Sequence, residues 1–210
     1  MVNIEAKDFP VDGLEATGED VKVHVPKGTE WRVYKLFGDQ GGSITVAGDG
    51  DGSAVRSGKG KGDAYRYGAG AGGATRSGNG KGVAWRDGDG DGNARRSGKG
   101  AGGARRYGTG DGHAYRHGDG DGNARRSGKG SGGSRRSGSG EGHAWRWGAG
   151  AGDAWRSGEG EGSAHRYGAG NGGAYRIGYG EGHAWRWGAG NGNAYRDGDG
   201  NGEIEEKQND

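Results

Sequence analysis

The chain has 210 residues, of which 58 are glycine, two are proline and none is cysteine. Residues 51–200 contain only three branched aliphatic residues, Val55, Val83 and Ile177, so an ordinary apolar core is excluded. Collagen is excluded because glycine does not recur at every third residue, and a disulfide framework is excluded because cysteine is lacking. Charge divides by region, with 5 basic and 9 acidic side chains in 1–50, 24 and 15 in 51–200, and 1 and 4 in 201–210.

Residues 1–50 are predicted to form an apolar cap that is continuous with the rest of the fold. The segments VKVHV and WRVYKLF alternate apolar and polar residues, which is typical of strands with one buried face. We expect Leu36 and Val46 to align with the sixth place of the repeat that follows, and Ile4, Leu14 and Ile204 to align with its fourth place.

Residues 51–200 divide into fifteen decapeptides without insertion or deletion. Glycine occupies the second, eighth and tenth places of every decapeptide, alanine the fourth place of all but one (Ser134), and arginine the sixth place of all. Fixed even places and variable odd places indicate extended chain with one face packed and one exposed. The pattern predicts an all-β fold, a thin, flattened β-solenoid, with residues 201–210 as a short acidic end. A flexible glycine-rich linker and a bundle of polyglycine-type helices are the rival interpretations.

The seventh place indicates how many decapeptides make one coil. Alternate decapeptides carry five aromatic residues among seven at this place, and the interleaved decapeptides carry none among eight. This favours two decapeptides, or twenty residues, per coil, with two unlike faces and a rod about 50 Å long at ~4.8 Å per layer.

The invariant sixth-place arginine has two interpretations. In the structural one, its five donors satisfy backbone carbonyls of the Gly-x-Gly turns. In the functional one, the arginines form a positive array that binds phosphates or another polyanion. Strict identity in every repeat favours the structural role. The additional fifth-place arginines are better candidates for anion contact: Arg95, Arg105, Arg125 and Arg135.

The variable places supply the candidate partner-binding residues, because exposed Trp, Tyr and Arg dominate protein interfaces. Rings stacked only to stiffen the solenoid are the alternative. Repeats of the aromatic set also place His165 beside Tyr167. The candidate binding residues are Tyr65, Tyr67, Trp85, Arg105, Tyr107, Arg125, Trp145, Trp147, Tyr167, Trp185 and Trp187.

The sequence predicts no catalytic residues, no cofactor and no metal site. The GDGDG segments at 48–52, 88–92 and 118–122 are similar to calcium-binding glycine–aspartate repeats, but other copies of the turn carry Lys, Ala, Asn or Ser. Histidines at the third place (His113, His143 and His183) do not fall in adjacent repeats.

The decapeptide with phased Gly, Ala and Arg, as in GDGNARRSGKG, resembles glycine-rich repeat proteins encoded by bacteriophages and prophages. The resemblance covers 51–200 and implies a phage setting. The architecture is also similar to short-coil β-solenoid antifreeze proteins, although the serine column here is broken by His117 and Ile177.

We therefore expect a non-enzymatic binding protein that engages a host macromolecule, with protein the expected class. The alternatives are a fibre or tip component of a virion, nucleic-acid binding through the basic array, and ice binding. No membrane contact is expected. The first twenty residues lack the basic and apolar stretches of a signal peptide, which predicts the host cytoplasm or a virion as the location.

Overall fold

A computed structural model describes residues 1–207 as two parallel β-sheets that face each other. Sheet A has eleven strands and takes every odd strand from β1 to β21, whereas sheet B has ten and takes every even strand from β2 to β20. Residues twenty apart pair in register, as Ala94 does with Ala114 and Ala104 with Ala124. The β-solenoid and its twenty-residue coil are therefore confirmed.

The strands are short and regular. The cap contains β1 (Val2–Glu5), β2 (Leu14–Glu15), β3 (Val21–His24), β4 (Arg32–Phe37) and β5 (Ile44–Ala47), with a 3-10 helix at Ala6–Asp8. Sheet B continues with β6 (Gly52–Ser57), β8 (Ala74–Ser77), β10 (Ala94–Ser97), β12 (Ala114–His117), β14 (Ser134–Ser137), β16 (Ala154–Ser157), β18 (Ala174–Ile177) and β20 (Ala194–Asp197). Sheet A continues with β7 (Ala64–Tyr67), β9 (Ala84–Asp87), β11 (Ala104–Tyr107), β13 (Ala124–Ser127), β15 (Ala144–Trp147), β17 (Ala164–Tyr167), β19 (Ala184–Trp187) and β21 (Ile204–Lys207).

The interior of the repeat region consists of alanine and arginine. Because side chains alternate across a strand, the fourth and sixth places point inward and the fifth and seventh outward. The fourth-place alanines from Ala54 to Ala184 have no exposed surface, and Ser134, which replaces one of them, is 1% exposed. The small fourth-place side chains allow the two sheets to lie close together.

The sixth-place arginines, here the arginine column, fill the space under the turns. Arg66 donates from Nε to the carbonyl of Gly52 at 2.7 Å, from Nη1 to that of Gly48 at 3.0 Å and from Nη2 to that of Gly50 at 2.6 Å. These acceptors are the eighth, tenth and second places of the preceding coil. Arginine and the glycine triplet are therefore one structural unit, which explains why both are invariant. Arg56 to Arg186 are at most 1% exposed, as the structural interpretation of the arginine predicted.

Glycine at the eighth place is required by both conformation and space. Gly138 has φ +107°, and a Cβ there would lie 2.7 Å from the carbonyl oxygen of Gly118 in the coil before. Any side chain would push neighbouring coils apart at the turn.

The cap has an ordinary apolar interior and joins both sheets. Its buried side chains include Val23, Tyr34, Leu36, Ile44 and Val46. Leu36 pairs with Arg56 and Val46 pairs with Arg66, so their predicted alignment with the sixth place is confirmed. Ile204 pairs with Ala184, as predicted for the fourth place.

The predicted alignment of Ile4 and Leu14 with the fourth place is wrong. Leu14 pairs with Leu36, and Ile4 pairs with Val23, which pairs with Val46, so both belong to the sixth-place column. The cause is turn length, because the first coils advance by 19, 22 or 23 residues between partners and the regular step of twenty begins at Arg32. Of the predicted acidic end, 208–210 lie outside the described residues.

Candidate functional site

All eleven candidate binding residues lie on the outer face of sheet A, here the aromatic face. They form two parallel columns, one from the fifth place and one from the seventh, because residues twenty apart pair directly. The fifth-place column contains Tyr65, Trp85, Arg105, Arg125, Trp145, His165 and Trp185. The seventh-place column contains Tyr67, Asp87, Tyr107, Ser127, Trp147, Tyr167 and Trp187.

Rings are concentrated on three consecutive coils toward the C-terminal end of this face. The ring of His165 lies 4.1 Å from that of Trp145 and 5.1 Å from that of Trp185, centroid to centroid. In the neighbouring column, Tyr167 lies 6.2 Å from Trp147 and 5.5 Å from Trp187. These six rings form one contiguous patch, here the ring patch.

Arginines at the fifth place cover rings on the same face. The guanidinium of Arg125 lies 5.2 Å from the ring centroid of Trp147, and that of Arg105 lies 5.2 Å from that of Trp85. Such cation–π contacts hold the planar charge against the rings. Trp85 also contacts Tyr107, with ring centroids 5.2 Å apart.

The rings are partly covered by one another. Tyr67 is the one candidate residue exposed above a third of its surface, at 37%, and the other ten are half-buried. The patch therefore presents ring edges and parts of ring faces. Both interpretations of the rings, stiffening and recognition, are compatible with this packing.

His165 belongs to the ring patch but is not among the eleven candidate binding residues. It is 5% exposed, and burial, together with smaller effects of His143 and His183, lowers its pKa to about 4. The imidazole is consequently neutral at pH 7. Its sequence position could have identified it as a candidate, because at a period of twenty residues it falls between Trp145 and Trp185 in the fifth-place column.

The third-place histidines fasten one coil to the next. Nδ1 of His143 accepts the backbone N–H of Ser163 at 3.1 Å, and Nδ1 of His183 accepts that of Glu203 at 2.9 Å. His113 accepts the N–H of Gly133 on the opposite sheet at 3.0 Å. Asp and Asn side chains at turn positions do the same, as Asp121 does for Glu141 at 3.1 Å.

The four fifth-place arginines divide between the two faces of the solenoid. Arg105 and Arg125 are adjacent on sheet A and half-buried. Arg95 and Arg135 are exposed on sheet B, where Tyr115 lies between them in the same column. Sheet B also carries Trp155 and Tyr175, whose ring centroids are 5.0 Å apart, in a single column instead of two.

Within residues 1–207, no group of three or more His, Asp or Glu side chains is placed to hold a metal ion. In the same part of the chain, no helix has the length and hydropathy needed to cross a membrane. Comparison with family models, curated proteins and solved structures finds no match to this chain. The resemblance to phage repeat proteins therefore stays a prediction.

Proposed function

We propose that this chain is a non-enzymatic binding protein that recognises a macromolecular partner, expected to be a protein, through the aromatic face. The observation that carries the proposal is the ring patch, in which six rings from three coils lie in contact on one side of a rigid rod. Trp and Tyr contribute large contact areas at low entropic cost, which is why they dominate binding hot spots.

The distribution of variation along the chain supports this assignment. Inward places are nearly identical in every repeat, whereas the fifth and seventh places differ from coil to coil. A residue that stabilises every layer is expected in every layer. A residue chosen for contact with an irregular partner surface is expected to vary.

The polar side chains that could take part in catalysis or ligand binding already have structural roles. The guanidinium groups of the arginine column donate to backbone carbonyls, and the third-place histidines accept hydrogen bonds from backbone N–H groups. Their use in stabilising the coil supports a display scaffold in preference to a catalyst. We propose a phage origin on the decapeptide pattern alone, with a host macromolecule as the partner and a virion component as the alternative.

The test is capture of partners on immobilised protein, from host lysate and from a virion preparation. Replacing Trp145, Trp147, Trp185 and Trp187 together by serine should abolish capture, since each hot-spot ring contributes on the order of 2 kcal/mol or more. The matched control replaces Trp155 and Tyr175 by serine on the opposite face. Circular dichroism must show that both variants keep the β-solenoid.

The outcomes separate the interpretations. Loss of capture in the sheet A variant alone supports recognition by the ring patch. Equal loss in both variants, or retention in the sheet A variant, contradicts it. Capture of virion proteins only would support the alternative that the chain is a fibre or tip component of a virion.

A second candidate function, anion binding, is favoured by the exposed arginines of sheet B. Arg95 and Arg135 flank Tyr115 and line an open groove together with His117 and Ser137. Two guanidinium groups beside a ring are suited to a phosphate or sulfate of a polyanion. Binding of single-stranded DNA should then weaken steeply with salt and be lost on replacing Arg95 and Arg135 by glutamine, whereas salt-independent binding would contradict this function.

A further inference from the structure

One edge of the solenoid carries charges that change sign halfway along the rod. This edge, here the B-to-A edge, consists of the turns that lead from each sheet B strand to the next sheet A strand: 58–63, 78–83, 98–103, 118–123, 138–143, 158–163, 178–183 and 198–203. Its first three turns carry Lys59, Lys61, Lys81 and Lys99, with Asp63 as their one carboxylate. Its next three carry Asp119, Asp121, Glu141, Glu159 and Glu161.

The separation is specific to this edge. Of the five lysines in 51–200 four lie in its turns, and so do all four glutamates. Of the ten charged side chains of the six turns, nine are exposed, and the tenth, Asp63, is half-buried and accepts hydrogen bonds from the Tyr65 hydroxyl and the Val83 N–H. The opposite edge has the same glycine pattern but carries Asp89, Asp91 and Asp111, then Lys129, then Asp153, and otherwise mostly alanine and asparagine after that. Turn geometry alone therefore does not demand blocks of lysine and glutamate.

The buried arginines do not explain the pattern either. Carboxylates above the arginine column would offset its charge, as Asp119 and Asp121 do by raising the pKa of Arg116 against the effect of burial. A purely compensating edge would be acidic along its whole length. Lysines lie instead in the turns next to Arg76 and Arg96, where they add charge of the same sign.

Stacked like charges are a cost to the isolated coil. Layers ~4.8 Å apart bring the like charges of successive turns close enough to repel one another. Within residues 1–207, the one ion pair that these side chains make is that of Lys59 with Asp39 of the preceding cap turn, at 3.8 Å. Charges of opposite sign from outside the chain would convert this repulsion into attraction.

We propose that two copies of the chain associate side by side along the B-to-A edge in antiparallel orientation. A two-fold axis between turns 98–103 and 118–123 places those two turns opposite each other. It also pairs 78–83 with 138–143, and 58–63 with 158–163. Four lysines of each copy then face five carboxylates of its partner, over six turns, or roughly 29 Å at ~4.8 Å per layer. A parallel arrangement would place like charges together.

The symmetry has a defined consequence for the faces. Two flat rods that meet edge to edge with opposite directions are related by an axis perpendicular to their sheets. That axis leaves both copies of sheet A on the same side of the dimer. The two aromatic faces would form one continuous surface, although the association does not depend on their function.

The mass in solution tests the proposal. At low ionic strength, light scattering should give twice the 21.4 kDa of one chain, and the dimer should dissociate at about 500 mM salt, where exposed charges are screened beyond ~5 Å. An acidic-edge variant replaces Lys59, Lys61, Lys81 and Lys99 by glutamate. A basic-edge variant replaces Asp119, Glu141, Glu159 and Glu161 by lysine. Each alone should be monomeric, and their mixture should form a heterodimer.

Controls address the location and the direction of the contact. Lys129→Glu on the opposite edge should leave the dimer intact. The chain has no cysteine, so single cysteines can be introduced as crosslinking sites. Ala101→Cys lies near the axis and should crosslink to its copy in the partner with a short bifunctional reagent. Tyr179→Cys would lie ~34 Å from its copy and should not crosslink. A monomeric parent protein at low salt, a dimer that survives both edge reversals, or crosslinking at both positions would overturn the proposal.

Discussion

The adjacent residues Arg95 and Arg96 offer the sharpest test of the arginine column. Both belong to β10, but Arg95 points outward and is exposed, whereas Arg96 points inward and has no exposed surface. Within residues 1–207 the Arg95 guanidinium donates no hydrogen bond. The Arg96 guanidinium donates to six carbonyl oxygens, those of Gly80, Gly82, Ser97, Gly98, Lys99 and Gly100.

Methionine at position 96 keeps the length of the side chain and removes every donor. The carbonyls of Gly80 and Gly82, which accept at 2.7 and 3.1 Å, belong to the preceding coil. Each orphaned buried carbonyl costs ~1–3 kcal/mol. Part of this cost is recovered because the removed charge was itself unfavourable: burial, and then repulsion from Arg116 and Arg76, lower the pKa of Arg96 to about 10. We expect Arg96→Met to lower the free energy of unfolding by about 3 kcal/mol, and Arg95→Met by less than about 0.5 kcal/mol.

Urea unfolding followed by circular dichroism measures the difference. Because stability in a repeat protein is local, amide exchange of the coils on either side of residue 96 supplies a second readout that does not require two-state behaviour. Equal unfolding energies for the two variants would refute the structural role of the column. Arg96→Lys should be intermediate, since lysine keeps the charge but lacks the planar fork of donors.

Three further perturbations test the coil, the turn glycines and the ring patch. Deleting 121–140 should keep both faces in phase, whereas deleting 131–140 should move every later ring to the opposite sheet, which tryptophan accessibility to a quencher would report. Gly138→Ala should lower the melting temperature by more than Gly28→Ala. Both glycines have positive φ, but only at Gly138 would a Cβ meet backbone, 2.7 Å from a carbonyl oxygen. Thermal melting of the two variants measures the difference. His165 has a pKa of about 4 in the folded protein, against 6.5 in the unfolded chain. Between these values the folded protein keeps His165 neutral, whereas the unfolded chain binds a proton there. The free energy of unfolding should therefore fall by about 1.4 kcal/mol per pH unit as the pH is lowered from 6.5 to 4. His165→Tyr should remove that part of the pH dependence, and an unchanged slope would argue against a buried neutral histidine.

The architecture of the repeat region could be predicted from the sequence because period and phase were both visible. Fixed even places identified the buried face, and the seventh-place aromatics identified two decapeptides per coil. The hydrogen-bond partners of arginine were predicted as a class, the turn carbonyls. Their exact positions could not be, because the arginines divide their donors between carbonyls fourteen to eighteen residues upstream, in the preceding coil, and carbonyls of the turn that follows in the same coil.

The predictions failed where the decapeptide frame was extended into the cap. Turn lengths there differ from the repeat, and nothing in the spacing of Ile4 or Leu14 shows how many residues a turn will take. The extent of ring burial was also not predictable, because it depends on contacts between coils. The charge pattern of the B-to-A edge became visible only when residues twenty apart were aligned on one side of the rod.

Strict alternation of inward and outward places has an evolutionary consequence. Each decapeptide contributes two outward side chains, at the fifth and seventh places, that can change without altering the packed interior. Duplication of a twenty-residue segment lengthens the rod and preserves the identity of both faces, whereas point substitutions rewrite a face one residue at a time. A lineage with this fold can therefore diversify its outer faces while inheriting an unchanged scaffold.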